Sequence, residues 1–248
     1  VYMEPVGPES GTTPITVEYV KGVERLCRKY GALLVFDEVV TGFRIGMAGA
    51  QGYFGVSPDL TIFGKVIAGG YPGAGGIGGK REYMKYLGAG LDSSGKKIHK
   101  ALVGGTMTAN PLSCCAGYFT LEEIERTNAC QKAGQMGDRI CAGLKELVKK
   151  HGLPFVVWNT GSICHLETVG TMHYQINWKK PWEIPAILGE TGIRQKEMEH
   201  MGAAYMAEGL VTLAGSRLYT SAAYTPKMID QALACFDRVF ENVAVKAD

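Results

Sequence analysis

The chain has 248 residues, 46% hydrophobic and 20% charged, which suits one large or two medium globular domains with a sizeable core. A formal net charge of +2 gives no reason to expect nucleic acid or a membrane surface as partner, and no apolar run approaches the ~20 residues that span a bilayer. Seven cysteines, an odd number with Cys114 and Cys115 adjacent and the others scattered, read as reduced thiols in a cytoplasmic protein.

Tyr2 to Val6 reads as the end of a strand already under way, so the chain is expected to lack its beginning. The opening VYMEPVGPES has neither a basic region nor an apolar signal core, so no export is expected. Val17, Val20, Val23, Leu26, Cys27 and Tyr30 recur at helical spacing, and Gly31 stops the pattern. A strand over 32–36 follows, then a long loop, then a strand over 60–63. Helix and strand in alternation predict a mainly parallel sheet with helices on its faces.

Residues 75–79 are expected to form a further strand that reverses at Lys80-Arg81, and 88–104, rich in Gly, Ser and Lys, a mobile surface loop. Asn110 is placed to cap a helix with Pro111 at its first position. That helix runs to Thr127, and a second covers 128–151. From Leu153 the pattern changes to short β-rich runs, 155–158 and 163–167, with helices near 190–206 and 226–243. A boundary inside the 128–151 helix gives a ligand-binding portion over 1–130 and a linking helix with a smaller α+β domain over 131–248.

The chemistry concentrates in residues 33–72. The apolar run Leu33 to Phe36 ends in Asp37-Glu38, and the run Leu60 to Phe63 ends in Gly64-Lys65 and a Gly-rich turn. Open α/β sheets bind ligands at the carboxyl ends of their strands. A carboxylate and an amine delivered there suit pyridoxal phosphate, which needs a protonated ring nitrogen and a Schiff-base lysine. Lys65 stands between apolar runs and is expected to be partly desolvated, as a nucleophilic amine requires.

Asp37 would pair with the cofactor's ring nitrogen, and the protonated ring would draw electrons from the carbon being deprotonated. Val39 shares a side with Asp37 if the strand continues, and would pack on the ring face. Glu38 points the other way and reads as structural, as does Arg44. Gly104-Gly105-Thr106 lies just ahead of the Asn110-Pro111 helix start, and backbone N–H groups with a hydroxyl at such a place make an anion site. Gly73-Ala74-Gly75-Gly76-Ile77-Gly78 matches a dinucleotide fingerprint in letters only and reads as a turn. His165 and Glu167, on one side of a strand, read as a satisfied polar pair and not as metal ligands. No metal site is expected.

DEVVTGFR at 37–44, PDL at 58–60, GKVIAGGYP at 64–72 and GTMTANP at 105–111 closely resemble the class III aminotransferases, which are fold type I pyridoxal-phosphate enzymes. The resemblance implies an α/β fold: part of the fold type I PLP-transferase large domain plus a small C-terminal α+β domain. It makes Lys65 the Schiff-base lysine and gives Gly105 and Thr106 to the cofactor phosphate of a neighbouring subunit, hence a homo-oligomer, most simply a dimer. Val40, where several relatives carry glutamine, moves the resemblance toward the glutamate-semialdehyde aminomutase-like branch. Arg217 aligns with an arginine that holds a substrate carboxylate, and Glu9 with the glutamate that neutralises it.

The resemblance runs from Glu4-Pro5 to the C-terminal helix but lacks the N-terminal portion of a usual member. That portion supplies a second phosphate cup and the aromatic that stacks on the cofactor. The implied activity is an omega-transaminase-like transfer of an amino group from an amine or amino acid to a keto acid, ketone or aldehyde. Alternatives are a glutamate-1-semialdehyde-type aminomutase and a non-catalytic half that needs a partner chain.

Overall fold

Helix α1 (Val17–Tyr30) starts where Thr16 Oγ1 accepts the Tyr19 N–H at 3.2 Å and stops at Gly31, whose φ of 65° only glycine adopts freely. Its inner face buries Val20 and Cys27. These details come from a computed structural model, which describes residues 1–6, 14–88, 90–97, 99–168, 179–213 and 215–244.

Strands β1 (Tyr2–Met3), β2 (Val35–Asp37) and β3 (Leu60–Phe63) pair in parallel, and β4 (Gly76–Gly79) closes the sheet antiparallel to β3, in the order β1-β2-β3-β4. Leu34 and Phe36 are fully buried, so β2 is the buried centre of this sheet. The expected parallel sheet is present, but β2 takes in Asp37 as its last residue. The segment expected as one long loop contains a short helix, α2 (Gly49–Phe54). Helix α3 (Arg81–Met84) is a single turn after β4. Within the stretch read as a surface loop, Leu91 and Lys97 form an isolated antiparallel bridge.

Asp59, immediately before β3, is 1% exposed and saturated with donors. Arg28 Nη1 of α1 donates to both its oxygens at 2.8 Å, Lys80 Nζ to Oδ1 at 2.5 Å and the Leu34 N–H to Oδ2 at 2.8 Å. One carboxylate thus ties α1, the start of β2 and the end of β4 to the root of β3.

Helix α4 (Pro111–Thr127) begins as expected: Asn110 Oδ1 accepts the Ser113 N–H at 3.0 Å, with Pro111 in the first turn. Helix α5 (Ala129–Lys150) follows after Asn128, which ends α4 in the left-handed conformation. The chain then builds a second, antiparallel sheet from β5 (Val156–Thr160), β6 (Ile163–Glu167) and β7 (Arg217–Tyr219), in the order β5-β6-β7. Helices α6 (Ile184–Ala207) and α7 (Pro226–Ala244) complete that part. Its core joins Ile140, Leu144, Leu166, Tyr205, Phe236 and Phe240.

The contacts divide the chain into two compact units, one holding β1 and Ile15–Cys130, the other running from Gln131 onward. Among the described residues, no helix is long and apolar enough to cross a membrane.

Candidate functional site

Parallel pairing puts the carboxyl ends of β1, β2 and β3 along one edge of the first sheet. Asp37 is the last residue of β2 and pairs with Ile62; Phe63 and Gly64 then lead from Ile62 to Lys65. A carboxylate and an amine therefore leave neighbouring strands at the same edge.

The Asp37 carboxylate is half-buried and held by two donors, the Val39 N–H to Oδ1 at 3.0 Å and the Tyr2 hydroxyl to Oδ2 at 2.5 Å. Tyr2 escapes a reading of the sequence along the chain, because only the register of β1 against β2 brings the two residues together. The hydrogen bond to Asp37, then burial, then the charges of Asp37 and Glu4 raise the Tyr2 phenol above its ordinary range, so it remains a donor at neutral pH.

The strand does not continue past Asp37; Val39 sits in a turn, its N–H folded back on the Asp37 side chain. Its side chain nevertheless lies at the site, since a Cβ added to Gly64 would come 3.1 Å from Val39 Cγ1. Glu38 is 1% exposed and faces away, accepting from Thr41 Oγ1 at 3.0 Å, Ala50 N at 2.7 Å and Gln51 N at 3.2 Å. It holds the loop and α2 in place.

Lys65 opens a 3-10 turn, Lys65–Ala68, with φ at +50°, a left-handed conformation that costs a side-chain-bearing residue of the order of 1 kcal/mol or more. The expected desolvation is not found in this chain: the strand ends at Phe63 and the left-handed turn swings Lys65 out, leaving its side chain exposed. No hydrogen bond or ion pair engages its ammonium among the described residues. The turn itself is firmly seated. A Cβ on Gly69 would stand 2.5 Å from the Ala116 carbonyl carbon, and one on Gly117 would run into the Ile67 carbonyl oxygen, so α4 packs backbone to backbone against it.

Gly105 and Thr106 lie on the exposed approach to α4, where the Gly105 carbonyl accepts the Thr108 N–H at 3.0 Å. This loop is pinned to the turn that follows Lys65: Ala109 N donates to Gly73 O at 3.2 Å, and Ser113 Oγ to Pro72 O at 2.6 Å. Glu9 lies outside the described residues. Arg217 sits half-buried in β7 of the second unit, opposite His165.

Two decoys resolve. Gly73 to Gly78 form a turn and most of β4, with no helix opening on them. His165 and Glu167 do pair, Nδ1 lying 3.5 Å from Glu167 Oε1, but among the described residues neither ring nitrogen makes a hydrogen bond. The imidazole stacks flat on Trp158, centroids 3.9 Å apart, and that stacking sets its plane. No group of His, Cys, Asp or Glu among the described residues could hold a metal ion.

The donor set can be tested against the cofactor that the motifs call for. An anchored carboxylate suits a protonated aromatic nitrogen, and an unpaired amine at the same edge suits an aldehyde carbon. The residues present fit pyridoxal phosphate.

Comparison with known proteins agrees with this chemistry. The family model described as aminotransferase class-III matches residues 1–214. The chain is 34% identical to glutamate-1-semialdehyde 2,1-aminomutase 2 of Brevibacillus brevis, over 94% of this chain and 50% of the relative. It is 36% identical to the enzyme of the same name from Shouchella clausii, over 99% of this chain and 53% of the relative. In structure it is similar to a transaminase with PLP bound, at a TM-score of 0.78 and 22% identity, over 99% of this chain and 52% of that one. The chain spans about half the length of the curated relatives it matches.

Proposed function

The chain belongs to the class-III aminotransferase family, and from that premise we propose that it takes part in PLP-dependent amino-group transfer from an amine or amino acid to a keto acid, ketone or aldehyde. The observation that carries this reading is Asp37 and Lys65 at one edge of adjacent parallel strands, the carboxylate anchored and the amine unpaired. When bound, pyridoxal phosphate supplies an aldehyde that captures amines and a ring that withdraws electrons from the carbon losing its proton.

In this reading Lys65 would hold the cofactor through Nζ. Asp37 would hold the proton on the ring nitrogen, and Val39 would pack against the ring. Gly105 and Thr106 would take the phosphate. With a donor in the site, the freed Lys65 Nζ would be placed to take up the proton that the substrate carbon loses and to give it back. Arg217 is proposed to meet a substrate carboxylate, with Glu9 as its neutralising partner.

Thr106 is proposed to serve the site of a neighbouring copy in a homo-oligomer. The exposed apolar side chains of Leu112, Tyr118 and Phe119 on α4 and Met107 ahead of it support that assembly. The seven free thiols fit a cytoplasmic setting.

A second reading, intramolecular amino transfer, is favoured by the aminomutase names of relatives that align with almost the whole chain. Purified protein given a labelled amino donor and a separate carbonyl acceptor decides between them. Labelled nitrogen in the acceptor's product supports transamination; nitrogen moved only within one molecule supports the aminomutase. No turnover of either kind, and no cofactor uptake, would contradict both.

A further inference from the structure

We propose that Tyr2 is a positioning residue for Asp37: its hydroxyl, with the Val39 N–H, fixes the plane of the carboxylate at the sheet edge and so sets how that carboxylate meets a ring nitrogen. The inference rests on the reading of Asp37 given above and adds a residue to it.

The geometry carries the argument. A carboxylate has two oxygens and about four lone-pair sites, and rotation of its terminal group is soft. The Val39 N–H engages Oδ1 from only two residues along the chain, so that donor moves with the turn it belongs to. The Tyr2 hydroxyl engages Oδ2 from a different strand, whose register is set independently by Tyr2 opposite Val35 and Met3 opposite Phe36. With one donor on each oxygen the group cannot rotate without breaking a hydrogen bond, and lone pairs remain on both oxygens for a third partner.

Among the described residues, the contact that Tyr2 makes through its polar end is with Asp37. The hydroxyl is what the site uses. The hydrogen bond to Asp37 raises the phenol above its ordinary range, so it remains a donor at neutral pH and beyond.

Tyr2→Phe removes only the hydroxyl, and Asp37→Asn serves as the reference. Each variant of the chain is loaded with pyridoxal phosphate carrying 15N at the ring nitrogen. Asp37→Asn should move the ring 15N resonance strongly. Tyr2→Phe should move it part of the way in the same direction and weaken cofactor binding roughly five-fold. In the cofactor-free chain, Asp37→Asn should bring the Tyr2 phenol titration down toward that of free tyrosine. If Tyr2→Phe matches the parent in resonance and affinity while Asp37→Asn does not, the inference is wrong and the reading of Asp37 stands. If Asp37→Asn leaves the ring resonance unmoved, or the chain takes up no cofactor, both fall.

Discussion

Arg28 Nη1 stands 2.8 Å from both carboxylate oxygens of Asp59, joining helix α1 to the root of β3, the strand that leads to Lys65. Burial alone would push the Asp59 carboxyl up. The Leu34 N–H, Lys80 and Arg28 outweigh it and hold the group at about 2, below its ordinary 3.8. A depressed carboxylate stabilises the fold above its unfolded value and loses that contribution as pH falls through the folded one. Asp59→Asn should therefore cost about 2 kcal/mol at neutral pH, and the cost should shrink as the pH approaches 2. Denaturant midpoints measured across that range check it; a cost that does not change with pH would contradict the account.

Lys65 is held at φ +50°, where a β-carbon is unfavourable and glycine is not. Lys65→Gly should therefore be more stable than Lys65→Ala by about 1 kcal/mol, although both remove the amine. Paired denaturation curves test this. Equal stabilities would mean that the turn relaxes to another conformation once the lysine is gone.

The seat of that turn gives a third prediction. A Cβ at Gly117 would run into the Ile67 carbonyl oxygen, with backbone on both sides of the contact. Gly117→Ala should cost about 1–3 kcal/mol through overpacking, despite alanine's better helix propensity. It should also weaken cofactor uptake, because the displaced segment carries Lys65. Stability and uptake measured on one preparation would show whether the two losses go together.

How much of this was legible in the sequence depends on where the deciding interaction lies. The helical spacing from Val17 to Tyr30 with its stop at Gly31, and Asn110 with Pro111, are local signals, and α1 and α4 fall where those signals put them. Helix α2 has no such signal at its start. Its sequence, GAQGYF, carries two glycines and no side-chain cap, and it is held by Glu38 reaching the Ala50 and Gln51 N–H groups from the end of β2. The apolar run before Lys65 suggested desolvation, yet a run of letters does not reveal a left-handed turn after the strand. Tyr2 against Asp37 depends on the register of two strands separated by α1, which periodicity along the chain cannot supply.

Glu38 offers a test of that tertiary control. In Glu38→Gln one of the oxygens facing Thr41, Ala50 and Gln51 becomes an NH2, which sets donor against donor in a buried place. A loss of about 1–3 kcal/mol is expected, with faster proteolytic cleavage between Thr41 and Gln51. Unchanged cleavage there would show that α2 is held by other contacts.

The most direct test of the central claim is spectroscopic. The purified chain incubated with pyridoxal phosphate should develop a visible absorption band that borohydride abolishes, leaving a pyridoxyl adduct that peptide mapping assigns to Lys65. Lys65→Ala should show neither band nor adduct at that position. An adduct confined to other lysines, or the same band in Lys65→Ala, would contradict the assignment of Lys65 as the residue that holds the cofactor.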